Sequence, residues 1–195
     1  APPGVLGPIA RTDGNRNTEY TAPLLWAELP IDAAGVVVEM GMRGPGQIAH
    51  LASFSRPTVG VITNVGWAHL EQLGSREGIA VAKGELFSHL SEGGTAIAWA
   101  EDEYLGTLIG AAGVHPLLTF GYGGNADLQI TEVRPISLQE THLEGVCQGE
   151  TFMATIPARG RHVVLSAAAG LLAGVVAGVP LPEGAQALAT AKMPP

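Results

Sequence analysis

Four residues in the first half of the chain could together hold a metal ion and a reactive amine: Glu39, Asn64, His69 and Lys83. Lys83 lies in the stretch Gly78–Leu90, where Ile79, Leu86, Phe87 and Leu90 fall at i−4, i+3, i+4 and i+7 from it. This spacing predicts a helix with the lysine on its apolar stripe. A protonated amine held there without a partner is costly, so it snorkels to the core edge, sheds its proton or changes chemically. Glu39 closes the apolar run Val36-Val37-Val38, Thr63-Asn64 closes a second run from Thr58, and His69 lies in the loop leading to the lysine helix. Taken singly, Glu39 reads as a helix cap and His69 as a structural loop residue. Taken together, a carboxylate and an imidazole suit magnesium, a hard cation that wants oxygen and tolerates an occasional nitrogen.

The elements that must position these side chains alternate along the chain. Strands are expected at Val36–Met40, Thr58–Thr63, Thr95–Trp99 and Leu117–Phe120, and helices at Gln47–Phe54, about Arg76–Leu90 and about Asp102–Ala111. Such alternation builds a parallel sheet with right-handed crossovers, whose ligands sit beyond the carboxyl ends of the strands. From Asp127 the period becomes two, at Leu128–Val133, Thr141–Val146 and Thr151–Ile156, which predicts a small antiparallel sheet. Helices return at Arg161–Ala177 and about Pro182–Ala191. The expected class is α/β: one domain with a mostly parallel sheet flanked by helices, plus a small antiparallel sheet.

Composition narrows the function. With 195 residues, 46 % of them hydrophobic, the chain can bury a sizeable core. A net charge of −8 leaves no basic footprint for nucleic acid or an anionic membrane. The single cysteine, Cys147, cannot form an internal disulfide, suits a reducing cytosol and reads as a small strand residue. The most apolar window, Val163–Val179, is interrupted by Gly170, Gly174 and Gly178 and reads as a buried helix, not a membrane span. The start, Ala-Pro-Pro-Gly, carries no initiator Met and no signal peptide, as expected of a segment from inside a longer protein.

Other motifs are weaker. Gly41-Met42-Arg43-Gly44-Pro45-Gly46 follows a strand and opens a helix, but the next strand ends in Thr63-Asn64 where a dinucleotide site wants an acid. Gly121–Asn125 reads as a turn, and Glu101-Asp102-Glu103 as a solvated helix start that complements the dipole. His142 and Glu144 share one strand face and read as solvent-facing.

Three blocks in order resemble the Mur ligases. They are Glu39-Met40-Gly41-Met42-Arg43-Gly44-Pro45-Gly46-Gln47-Ile48, then Ile62-Thr63-Asn64-Val65-Gly66-Trp67-Ala68-His69-Leu70-Glu71, then Leu73–Ala80 running into Ala82-Lys83-Gly84-Glu85-Leu86-Phe87. Upstream, Thr12-Asp13-Gly14-Asn15-Arg16-Asn17 is similar to the family's T-x-G-N-x-N. Within the family the details Met42-Arg43-Gly44 and Ala68-His69-Leu70-Glu71 are most similar to the MurF branch, which joins D-alanyl-D-alanine to a UDP-muramoyl tripeptide.

The resemblance implies a central, ATP-binding domain in which Glu39 and His69 bind magnesium and Lys83 is carbamylated by carbon dioxide. A carbamate turns the amine into an anionic metal ligand, and desolvation favours the neutral amine that captures carbon dioxide. It further implies catalytic roles for Lys83 and His69, nucleotide contacts from Asn64, Arg161 and His162, and substrate contacts from Thr12, Asn15, Asn17 and Arg43. ATP would activate a peptide carboxylate as an acyl phosphate, which an incoming amine attacks.

Departures from the family pattern are specific. The only lysines are Lys83 and Lys192, neither followed by Ser or Thr, so no G-K-[ST] phosphate loop exists in the chain. Trp99 stands where the family has a nucleotide-side asparagine, and Val163 and Ser166 replace two more after Gly160-Arg161-His162. The expectation is a central domain spanning 1–195 of a longer ligase. Its phosphate-loop segment, N-terminal UDP-substrate domain and C-terminal domain lie elsewhere, and the enzyme is a cytoplasmic monomer. Alternatives are another Mur-like amino-acid ligase, of folylpolyglutamate or cyanophycin type, or a degenerate non-catalytic binding module.

Overall fold

The computed structural model describes residues 7–14 and 16–191. In chain order the elements are β1 (Ile9–Arg11), α1 (Ala22–Ala27), β2 (Gly35–Val37), α2 (Gln47–Ser55), β3 (Val59–Ile62), α3 (Leu70–Leu73), α4 (Arg76–Ser88), β4 (Thr95–Trp99) and α5 (Leu105–Ala112). They continue with β5 (Leu117–Gly121), β6 (Leu128–Pro135), β7 (Thr141–Cys147), β8 (Glu150–Ile156), α6 (Arg161–Val176) and α7 (Leu181–Leu188).

The main sheet has the order β3-β4-β5-β6-β7-β8, parallel from β3 to β6 and antiparallel from β6 to β8. The period-two segments therefore do not form a sheet of their own, as the sequence suggested. They extend the parallel sheet, because Phe120 and Gly121 pair in parallel with Leu128 and Gln129. A second correction concerns the strand expected at Val36–Met40. It stops at Val37 and pairs in parallel with β1, in a separate two-stranded sheet. Neither β1 nor the short helices α1 and α3 were legible as elements. The β7–β8 turn places Gln148 and Gly149 at φ 51° and 87°, the left-handed pair that a two-residue hairpin needs.

Side-chain alternation divides the core between the two sheet faces. Ile62, Ala96 and Ala98 face α4 and α5, where Ile79, Phe87 and Leu108 are fully buried. Val59, Val61, Ile97, Phe120 and Leu128 face α6 on the other side. Burying a residue the size of Phe120 or Leu128 is worth roughly 1.5–3 kcal/mol. Helix α6 contributes eight buried residues from Val163 to Leu172, as the apolar window implied, and among the described residues no helix is long and apolar enough to cross a membrane. Cys147 is buried on β7. Beyond β6 only one face is covered, so β7 alternates buried and half-exposed residues.

Helix α4 sets where Lys83 points. Ser75 caps it by accepting from the Gly78 N–H at 2.9 Å. Gly60 of β3 lets the helix lie close, since a Cβ there would meet Leu90, Leu86 and Phe87 at 3.0–3.3 Å. With Ile79 and Phe87 locked in the core, the side chain between them, at i+4 and i−4, is held at the core margin.

Candidate active site

Strands β3, β4 and β5 run parallel as neighbours, so the loops that follow them emerge at one edge of the sheet. The loop after β3 carries Asn64, Val65, Trp67 and His69; the turn after β4 carries Glu101, Asp102 and Glu103; the loop after β5 carries Tyr122 and Gly123. The start of α6, with Arg161, comes to the same edge because β8 runs in the direction of β6.

Lys83 is half-buried, and its Nζ donates to the Asn64 carbonyl oxygen at 2.7 Å. Burial pushes its pKa below the ordinary lysine value, with the Asp102 charge partly opposing. The structure thus joins two of the predicted site residues directly. His69 is exposed, stands at the N-terminal boundary of α3 without a side-chain capping bond, and has φ 69°, a left-handed conformation uncommon outside glycine. Such backbone outliers concentrate at functional sites.

Glu39 is exposed, in the loop two residues beyond β2, and does not close the strand. Its Oε1 accepts from Asn17 Nδ2 at 2.7 Å, and its N–H donates to Thr12 Oγ1 at 3.0 Å. Thr12 and Asn17 therefore fasten Glu39. Asn15 lies outside the described residues. Arg43 is exposed, and its backbone N–H donates to Gln47 Oε1 at 2.5 Å. Among the described residues no three His, Cys, Asp or Glu side chains converge as a metal cage, and His142 pairs with Glu144 at 2.7 Å.

An open cleft of about 540 Å³ lies beside α6, lined by Tyr122, Thr141, Arg159 and Arg161 among others. The Arg161 guanidinium sits 5.5 Å from the Trp99 ring and 5.4 Å from the Tyr122 ring. The replacement of the expected asparagine by Trp99 thus has a structural use, although the buried indole N–H finds no partner. His162 turns back against Gly160, where a Cβ would meet its ring at 2.8 Å.

The acidic turn after β4 overturns the solvated-helix reading. Helix α5 begins at Leu105, and Asp102 is only 8 % exposed. Asp102 Oδ2 accepts from the Val65 N–H at 2.8 Å and Oδ1 from the Tyr104 N–H at 2.9 Å. Glu101 Oε1 accepts from the Tyr122 and Gly123 N–H groups at 2.6 and 2.5 Å. Glu103 pairs with Arg76, whose guanidinium packs against Trp67 and Tyr104 at 4.5 and 4.9 Å. Sequence reasoning also gave no role to Glu85, whose two oxygens accept from Gly46 and Ala49 at the start of α2. The available signal was position: three acids directly after a parallel strand stand at the same edge as Asn64.

A profile of the Mur ligase middle domain matches residues 3–174. The chain belongs to the Mur ligase family. Among curated relatives of this Mur ligase domain, the UDP-N-acetylmuramoyl-tripeptide--D-alanyl-D-alanine ligase of Bacillus subtilis is 34 % identical over 95 % of the chain. The match takes in 39 % of that relative's length, so the chain spans about two fifths of it. Crystal structure I of MurF from Acinetobacter baumannii superposes with a TM-score of 0.91 at 30 % identity, over 97 % of this chain and 41 % of that one. The MurF ligase of Thermotoga maritima in complex with ADP superposes with a TM-score of 0.83 at 29 % identity, over 96 % and 43 %. The Mur fold thus accounts for both the parallel sheet and the antiparallel strands that extend it.

Proposed function

We propose that the chain is the central domain of a cytoplasmic, monomeric, ATP-dependent ligase that adds D-alanyl-D-alanine to a UDP-N-acetylmuramoyl tripeptide in peptidoglycan precursor synthesis. The observation that carries this reading is the tie between Lys83 and the Asn64 carbonyl, which sets a half-buried amine against the loop bearing His69. The similarity to D-alanyl-D-alanine ligases over nearly the whole chain supports the choice of substrates.

In this reading the cleft beside Arg161 receives the nucleotide base, with His162 beside it, while Asn64 meets the nucleotide at its phosphate end, next to His69 and Lys83. Tyr122 and the stacked guanidinium give the base an apolar and cationic wall. Arg43, Thr12 and Asn17 would contact the peptide substrate, the last two also holding Glu39 in place, and Asn15 keeps the substrate role that the family resemblance implies.

Glu39 and His69 fit magnesium by donor type: one carboxylate and one imidazole, both exposed, leaving most positions for water and phosphate oxygens as this ion prefers. Magnesium, when bound, would neutralise charge on the transferring phosphoryl group. Lys83 supplies a further anionic oxygen as a carbamate, and its depressed pKa supports that by raising the share of neutral amine. The residues would hold the tripeptide carboxylate against the terminal phosphate of ATP, then the acyl phosphate beside the incoming amine.

The full-length protein should release phosphate from ATP only when magnesium, UDP-muramoyl tripeptide and D-alanyl-D-alanine are all present. Turnover with glutamate or another amine in place of D-alanyl-D-alanine would move the chain to a different Mur-like ligase. No turnover with any amine would favour a binding module.

A further inference from the structure

Glu101 and Asp102 are adjacent, yet their carboxylates reach opposite sides of β4. Asp102 bonds the Val65 N–H in the loop after β3, and Glu101 bonds the Tyr122 and Gly123 N–H groups in the loop after β5. These are contacts across the sheet between segments distant in the chain. A Cβ on Gly121 would overlap the Glu101 carboxylate, so the glycine there is what lets that side chain lie along the loop. Charge-assisted bonds to backbone N–H groups are about twice as strong as neutral ones, and the Asp102 bond is sheltered from water. The loop after β3 holds Asn64 and His69, while the loop after β5 holds the Tyr122 ring that lines the cleft.

We propose that these two carboxylates divide the positioning of the site. Asp102 fixes the metal end through the Asn64–His69 loop, and Glu101 fixes the nucleotide-base end through the Tyr122 loop. What the two ends bind rests on the ligase reading; the division of labour between the loops does not. Both are positioning residues, because each acts through backbone groups and not on the reactants. A purely structural turn would couple the two loops, so that loosening either would loosen both.

The test uses Asp102→Asn and Glu101→Gln, near-isosteric changes that remove the charge, in the full-length protein. Amide hydrogen exchange without nucleotide or metal should speed up at least about tenfold across 63–69 in Asp102→Asn while 121–126 is unchanged, and the converse should hold in Glu101→Gln. In steady-state assays Asp102→Asn should raise the magnesium needed for half-maximal rate about tenfold and leave the KM for ATP within about threefold; Glu101→Gln should do the reverse. If Asp102→Asn does not fold, Asp102→Ser carries the same two readouts. Exchange that rises in both loops together, or through β4 and the body of α5 beyond the Tyr104 turn that Asp102 also holds, overturns the proposal, as does a magnesium requirement and ATP KM that move in parallel. A wild-type protein without ligase activity would sink the ligase reading alone, since the exchange pattern still decides between divided and shared positioning.

Discussion

Lys83 and Asp102 grip the two ends of one peptide group. The Asn64 carbonyl accepts from Lys83 Nζ at 2.7 Å, and the N–H of Val65, on the same peptide, donates to Asp102 Oδ2 at 2.8 Å. An N–H donor at the oxygen and a carboxylate at the N–H polarise the peptide in the same sense, so each bond strengthens the other. The loop that carries His69 therefore starts from a fixed point.

Stability should depend on pH through Lys83. Burial lowers its pKa in the folded state. Between that lowered value and the ordinary lysine range near about 10.4, the unfolded chain binds a proton that the folded chain does not, so stability rises with pH there. Below that window the cost of burying the ammonium is fully present. Lys83→Met should flatten the alkaline rise and keep the urea midpoint at pH 7 at or above that of the wild type. A loss beyond about 2 kcal/mol at pH 7 would show that the bond to Asn64 outweighs the burial cost.

The carbamate can be tested by chemical rescue. In the full-length ligase, Lys83→Ala should abolish turnover while leaving the fold intact, and acetate or propionate should restore part of it by supplying a carboxylate in the vacated space. Lys83→Arg should stay inactive with or without acid, because a guanidinium remains cationic and fills that space. Wild-type rates from Lys83→Met would refute the carbamate.

Glu85 should prove to be a helix cap supplied by a different helix. Gly46 offers no side-chain cap for α2, and the Glu85 carboxylate takes the Gly46 and Ala49 N–H groups at 2.7 and 3.0 Å instead. Glu85→Ala should cost about 1–2 kcal/mol by chemical denaturation and raise amide exchange in the first turn of α2. Unchanged exchange at those amides would reject the cap.

Gly145 should tolerate nothing larger. A Cβ there would overlap the Gln129 carbonyl oxygen and press on the Phe152 ring at 2.7 Å. Gly145→Ala should lose about 3 kcal/mol or more of stability. Phe152→Leu on top of it should not restore the loss, because the oxygen belongs to the backbone of the neighbouring strand. Full recovery in the double variant would place the clash on the ring alone.

Elements whose signals are local were the ones legible in the sequence. Helix α4 shows its period and its Ser75 cap within a few residues, and β4 occupies the span its apolar run outlines. Strand β2 was overextended because Val38 and Met40 are as apolar as Val36, and only the partner strand β1 determines where pairing stops. The site was legible as a set of residue types, and the bond from Lys83 to Asn64 joins two of them. The carboxylates that hold the loops were not legible, because Asp102 meets Val65 from the end of the neighbouring strand, 37 residues away in the chain, and an acid after a strand looks the same in sequence whether it faces water or a backbone N–H.

Helix α6 closes the sheet face made by Val59, Val61, Ile97, Phe120 and Leu128, yet it follows all six strands of that sheet in the chain. This order has a consequence on the ribosome. At about 5–20 residues per second, β3 emerges several seconds before the helix that will cover it. Throughout that interval the growing chain displays a broad greasy surface, which invites association with other nascent chains. Burial of that face waits for residues 161–176. A message truncated just before them would therefore direct synthesis of a polypeptide destined for chaperones or proteases, not of a smaller working domain.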